Sequence, residues 1–205
     1  ILRMEDRRID YTISFWGPLL FKTILSNKDI KSLLSICNKN TSHHKRLAGV
    51  IKEEYTLDNV LFGNIVKPYL EAFMGAYNEY YNISHSTDIY VKQCWVNYMK
   101  AGDSNPTHIH NNCNWSSVLY LDVPKQIIEE QNNFEGTGGG PDSISFICGP
   151  HNDDFIFQKD FRPRTGDFFI FPAKLPHSVP SYKSNCTRIS CAANFTLQET
   201  GYHLP

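Results

Sequence analysis

The sequence predicts an α+β protein that is mainly β: a two-sheet antiparallel sandwich or jelly roll with helices packed on its outside. Three observations carry this. Up to residue 85, apolar residues recur at spacings of three and four; from residue 88, short runs rich in Val, Ile, Tyr and Phe are cut by clusters of Gly, Pro, Asn and Asp. The last such run, "TRISCAANF", alternates polar and apolar residues. At 205 residues the chain reads as one domain, 1–205, with 1–87 as helical support and 88–198 as the β core.

Two stretches read as helix, "KDIKSLLSIC" and "LDNVLFGNIVKPYLEAFMGAYNEYY". Asp58 is placed to cap the second, and Pro68 is expected to end or kink it near its middle. Strands are expected near 89–99, 107–110, 115–122, 143–148, 154–159, 167–171 and 187–197. Residues 123–142, ending in "GTGGGP", exceed a plain connection and form a candidate lid.

Composition narrows the partners. Twenty basic residues against twenty-one acidic ones give a net charge of -1, which argues against nucleic acid as a ligand. The six cysteines show no C-x-x-C, which fits reduced thiols in a cytoplasmic protein. Five N-x-[ST] matches read as chance, because at least two lie in strand-like runs. Arg7 and Arg8 ahead of the apolar run Ile13 to Phe21 mimic a signal peptide, but Lys22 ends the run and no small-residue cleavage site follows. No stretch approaches the roughly twenty apolar residues that span a bilayer, so no membrane partner is expected.

The chemistry concentrates in "PTHIH" and "LPHSV". His108 and His110 are two apart, so on a strand both project from one face and can meet one ion. His177, just past the strand-like "GDFFIF", can supply a third imidazole. In "TRISCAANF", Arg188, Ser190, Ala192 and Asn194 face one way and Ile189, Cys191, Ala193 and Phe195 the other. A guanidinium on an inner face needs an anion, and Ser190 adds a hydroxyl beside it. Alternatively Arg188 faces solvent, or pairs with Asp167 or Asp122. Tyr98 and Tyr120 read as core aromatics whose phenols need partners if buried. His43, His44, His85, His151 and His203 read as exposed.

Taken in order, "VNYMKAGDSNPTHIH", "SSVLYLDVP", "GGGPDSISF", "RTGDFFIFPAKLPHSV" and "TRISCAANF" resemble the Fe(II)- and 2-oxoglutarate-dependent dioxygenases, and more closely the prolyl-hydroxylase-like 2OG-Fe(II) oxygenases of marine bacteria and phages. The resemblance spans residues 95–195. It implies a double-stranded β-helix and an enzyme that uses Fe(II) and 2-oxoglutarate to hydroxylate an unactivated C–H, with a peptide or protein, prolyl or otherwise, as first-choice substrate. His108 matches the first metal histidine and His177 the distal one. Arg188, with Ser190, matches the basic residue that binds the far carboxylate of 2-oxoglutarate. Tyr98 and Tyr120 match tyrosines that contact the cosubstrate, and "GGGPDSISF" stands where prolyl hydroxylases carry G-G-x-T-x-F. No side-chain general base is expected.

The departure is His110, which stands where the family has its carboxylate ligand. Three readings stay open: His110 is itself a ligand in a three-histidine site; it points aside and water, Asn111 or Asn112 fills in; or a carboxylate such as Asp153 or Asp154 folds over. Two rival functions also stay open. One is a three-histidine cupin-like dioxygenase that does not use 2-oxoglutarate. The other is a catalytically degenerate binding domain. Trp95, Trp115 and the 123–142 segment are candidates for lining the opening.

Overall fold

The computed structural model describes residues 17–42, 49–83, 87–150 and 157–199. In chain order the elements are β1 (Phe21–Ile24), α1 (Asn27–Ile36), β2 (Glu54–Thr56), α2 (Asn59–Tyr81), β3 (Thr87–Lys100), β4 (Asn105–His108), β5 (Trp115–Asp122), α3 (Lys125–Asn132), β6 (Ile144–Ile147), β7 (Gln158–Phe161), β8 (Asp167–Pro172), β9 (His177–Val179) and β10 (Thr187–Glu199). The strands form two antiparallel sheets, one of six in the order β1-β8-β5-β10-β3-β2 and one of four in the order β4-β9-β6-β7.

Two apolar layers hold this together. On the outer face of the large sheet, Leu33 of α1 and Phe62, Val66, Leu70 and Phe73 of α2 pack on Leu119, Phe168, Ile170, Cys191, Ala193 and Phe195. Between the sheets lie Met99, Tyr120, Ile144, Phe146, Phe169, Phe171 and Val179. Burial of a side chain of this size is worth about 1.5–3 kcal/mol. Strand β10 feeds the outer layer with Cys191, Ala193 and Phe195 and turns Arg188, Ser190, Ala192 and Asn194 to a cavity on its other face.

Capping fixes where the helices begin. The Ser26 side chain accepts from the Asp29 amide, and the Asp58 carboxylate accepts from the amides of Val60 and Leu61. Helix α2 runs through Pro68 rather than ending there. Pro68 and Asn64, whose carbonyl loses its intrahelical donor, are both exposed, so water can serve that carbonyl.

The segment 123–142 is not a plain loop. It contains α3, which buries Ile127 and Gln131. The Gln131 amide donates to the Pro141 carbonyl at 3.1 Å and its oxygen accepts from Arg164 at 2.6 Å. The Glu130 carboxylate accepts from the amides of Lys183 and Ser184 and from the Ser184 hydroxyl. Of the expected strand 154–159, residues 158 and 159 fall in β7, which runs on to Phe161, and 154–156 lie outside the described residues. No helix among the described residues is long and apolar enough to cross a membrane.

Candidate metal and cosubstrate site

The three histidines meet because β4 pairs with β9, which sets His108 opposite His177. His177 opens a short strand of its own rather than ending a loop, and His110 lies two residues past the end of β4. The His110 amide donates to the Ala173 carbonyl at 2.8 Å, which turns its ring toward the other two. One ligand nitrogen from each ring lies within 4.8 Å of the others.

Hydrogen bonds on the far side of the rings decide which nitrogens are bare. His108 Nδ1 lies 2.7 Å from the Pro106 carbonyl and His177 Nδ1 lies 2.9 Å from the Leu175 carbonyl. A carbonyl only accepts, so each Nδ1 carries the proton and each Nε2 offers a lone pair. His110 Nε2 and His177 Nε2 stand 3.3 Å apart. Burial, and then the neighbouring imidazoles, hold His110 down at about 3 and His177 at about 4. Both are therefore neutral at pH 7, the state a metal requires. Three converging imidazoles, two of them presenting a bare Nε2, suit a first-row divalent ion such as Fe(II).

Of the alternatives for the third position, Asn111 lines the same cavity and accepts from Lys174, while the Asn112 carbonyl accepts from Lys92. Asp153 and Asp154 lie outside the described residues, as do His43, His44, His85, His151 and His203.

Arg188 reaches the same cavity from β10 and is almost fully buried. Its charge is met by neither Asp167 nor Asp122 but by Asp142, at 2.9 Å. Asp167 is engaged elsewhere, by Lys22 and the Arg164 amide. Arg188 also donates to Ser190 Oγ at 3.3 Å, and its guanidinium lies 5.1 Å from the centre of the Tyr120 ring. Burial raises the Asp142 carboxyl to about 6 against the pull of Arg188, so at neutral pH it is ionised and the pair is intact. Among the described residues, Arg188 Nε, the Tyr120 hydroxyl and Asp142 Oδ2 are buried here without a hydrogen-bond partner. An orphaned N–H and an orphaned phenol beside a guanidinium suit a ligand carboxylate such as that of 2-oxoglutarate.

Of the expected site residues, Tyr98 and Tyr120 are not among those lining the cavity; Tyr120 lies beside Arg188, and Tyr98 lies elsewhere. Its neighbour across the sheet is Ile189, so it faces the outer layer, where its ring meets Tyr55 edge-on and lies under Lys39. Met99 takes the place opposite Arg188. Trp95 lines the cavity, whereas Trp115 packs in the outer layer against Phe73. The sequence reading missed Asp142, which sits inside "GGGPDSISF", and Glu54 and Asn97, which line the cavity from β2 and β3.

Comparison with known proteins points to one family and one fold. The family model described as "Putative 2OG-Fe(II) oxygenase" matches residues 93–194. Among curated proteins none matches the chain. Among solved structures, a prolyl-4-hydroxylase from Pseudomonas putida aligns with TM-score 0.54 at 17% identity, covering 89% of this chain and 93% of its own. A prolyl hydroxylase from Trichoplax adhaerens, in complex with a hypoxia inducible factor oxygen degradation domain peptide fragment, aligns with TM-score 0.53 at 11% identity, covering 88% and 83%. HygX from Streptomyces hygroscopicus, with nickel, 2-oxoglutarate and hygromycin B bound, aligns with TM-score 0.50 at 11% identity, covering 88% and 82%. At these identities the likeness establishes the fold.

Proposed function

Because the chain belongs to the 2OG-Fe(II) oxygenases, we propose that it hydroxylates an unactivated C–H of a substrate held in this cavity, releasing succinate and CO2. The core would be the double-stranded β-helix of that family, residues 88–198, supported by 1–87 in one domain. The carrying observation is a single cavity that holds three converging imidazoles and a buried guanidinium whose Nε–H has no partner among the described residues.

Iron with 2-oxoglutarate supplies, when bound, the power to oxidise the C–H with O2. His108, His110 and His177 hold the ion, and the Pro106 and Leu175 carbonyls keep two of the rings in the tautomer that offers Nε2. Arg188 Nε, Ser190 and the Tyr120 hydroxyl hold the far carboxylate of the cosubstrate. Trp95, Ile144, Phe171 and Val179 line the cavity with apolar surface that keeps water from the reacting centre. Tyr98 is given no role. A prolyl or other residue of a peptide is the first substrate to test, in view of the prolyl hydroxylases that share the fold.

A second reading is favoured by one observation. Since Asp142 already neutralises Arg188, a three-histidine dioxygenase without 2-oxoglutarate would leave that ion pair undisturbed. Anaerobic titration with Fe(II) and then 2-oxoglutarate separates the two. Binding of 2-oxoglutarate that depends on Fe(II) and Arg188, with succinate release under air, is expected. Tight iron binding with no affinity for 2-oxoglutarate would decide for the second.

A further inference from the structure

The inner face of the large sheet carries a polar row of which the oxygenase reading uses only one end. Glu54 on β2 stands opposite Asn97 on β3, Asn97 opposite Ser190 on β10, and Ser190 opposite Tyr120 on β5. One end of this row meets the guanidinium; the other end is Glu54 and Asn97, which line the same cavity of about 320 Å³ as the histidines. Glu54 is 1% exposed and Asn97 4%. Among the described residues Glu54 Oε2 and Asn97 Oδ1 have no hydrogen-bond partner, and Glu54 has no ion pair. Two cross-strand acceptors facing one cavity, one of them a carboxyl, are costly to bury for packing alone.

We propose that this end of the cavity recognises a positively charged nitrogen on the substrate, a primary or secondary ammonium whose N–H groups donate to Glu54 and Asn97. A single neutral donor would satisfy one acceptor and leave the other orphaned, whereas an ammonium carries two or three N–H groups and the charge that a carboxylate requires. Trp95, two residues from Asn97 on the same face of β3, adds an aromatic wall of the kind cations favour. The assignment rests on the oxygenase reading only in naming the bound molecule as the substrate.

Binding should carry a proton signature. Burial, and then the charge of Asp103, hold the Glu54 carboxyl up at about 8, so at pH 7 it is mostly protonated. An arriving ammonium stabilises the carboxylate, and the carboxyl proton passes to the buffer.

The test is calorimetry of the full chain at pH 7 in two buffers of different ionisation enthalpy, with n-butylamine, pyrrolidine and L-lysine as cationic probes and N-butylacetamide as the neutral one. The cationic probes are expected to bind with release of about one proton and at least tenfold tighter than the amide. Glu54→Gln should weaken them at least tenfold and abolish the proton release, while leaving Fe(II) and 2-oxoglutarate binding unchanged. Should Glu54→Gln fail to fold, the proton count in the unaltered protein and a weakening in Asn97→Ala decide. Equal binding of the amide, full affinity in the folded Glu54→Gln variant, or no binding of any probe overturns the proposal. Cation binding without any binding of 2-oxoglutarate would sink the oxygenase reading and leave the cation site standing.

Discussion

Arg188 and Asp142 form a 2.9 Å ion pair in which neither side chain is more than 2% exposed. A pair this deep is held by mutual need, because either charge alone in the same place would be expensive. Arg188→Ala should therefore lower stability by about 3–5 kcal/mol, read by denaturant unfolding, and part of that should return in the double variant Arg188→Ala/Asp142→Ala.

In the proposed function the same pair would also set the affinity for the cosubstrate. A ligand carboxylate at Arg188 shares the guanidinium with Asp142, so the aspartate opposes it. Asp142→Asn should tighten 2-oxoglutarate binding several-fold, about 1 kcal/mol, by removing that negative charge. Arg188→Ala should weaken it by about 2–5 kcal/mol. Titration of the Fe(II)-loaded protein under nitrogen measures both, and unchanged affinity in either variant would remove that residue from the cosubstrate's surroundings.

His110 is tested by metal content. Its ring nitrogen lies 3.3 Å from that of His177, so His110→Ala should lower iron affinity by about tenfold or more, the scale that even outer-shell changes reach. His110→Asp should retain iron, since it restores a carboxylate at that position. Retention of iron by His110→Ala would remove His110 from the ligand set and leave His108 and His177 as its histidines.

The buried imidazoles also predict a pH response of the metal-free protein. His110 and His177 ionise at about 3 and 4 when folded, against 6.5 for a free side chain. Between those values the unfolded chain takes up protons that the folded chain refuses, so stability falls as pH drops below 6.5. Each group then costs up to about 1.4 kcal/mol per pH unit. Thermal melts from pH 7.5 to 5 should show this fall.

Helix α3 is pinned by Glu130, whose carboxylate accepts from two amides and a hydroxyl of Lys183 and Ser184. Glu130→Ala should cost about 1–2 kcal/mol and speed hydrogen exchange in 125–132 and 181–185. Unaltered exchange there would mean that other contacts hold the helix.

The sequence disclosed those features in which local pattern and tertiary need coincide. Alternation in "TRISCAANF" correctly gave the faces of β10, because its apolar half packs under α2 and its polar half faces the cavity. Asp58 announced its helix because capping is local. Helix α3 stayed hidden because its eight residues offer one apolar pair, Ile127 and Ile128, and most of its anchoring is polar. Tyr98 entered on the resemblance alone, which carries no strand parity, while β3 turns Asn97 and Met99 inward. The partner of Arg188 could not be read at all. Asp142 comes from a connection 46 residues away, with a left-handed backbone at φ 54°, and only the packed fold brings the two together. For the same reason Glu54 drew no notice, since nothing local marks a three-residue edge strand as a cavity wall.

The double duty of β10 would be visible in a saturation mutagenesis of Thr187–Glu199. Substitutions at 189, 191, 193 and 195 should lower abundance whatever the assay, whereas those at 190, 192 and 194 should spare abundance and separate variants by turnover. The record of tolerated changes along this strand would alternate with a two-residue beat, and the beat itself would trace which wall of the sheet touches chemistry.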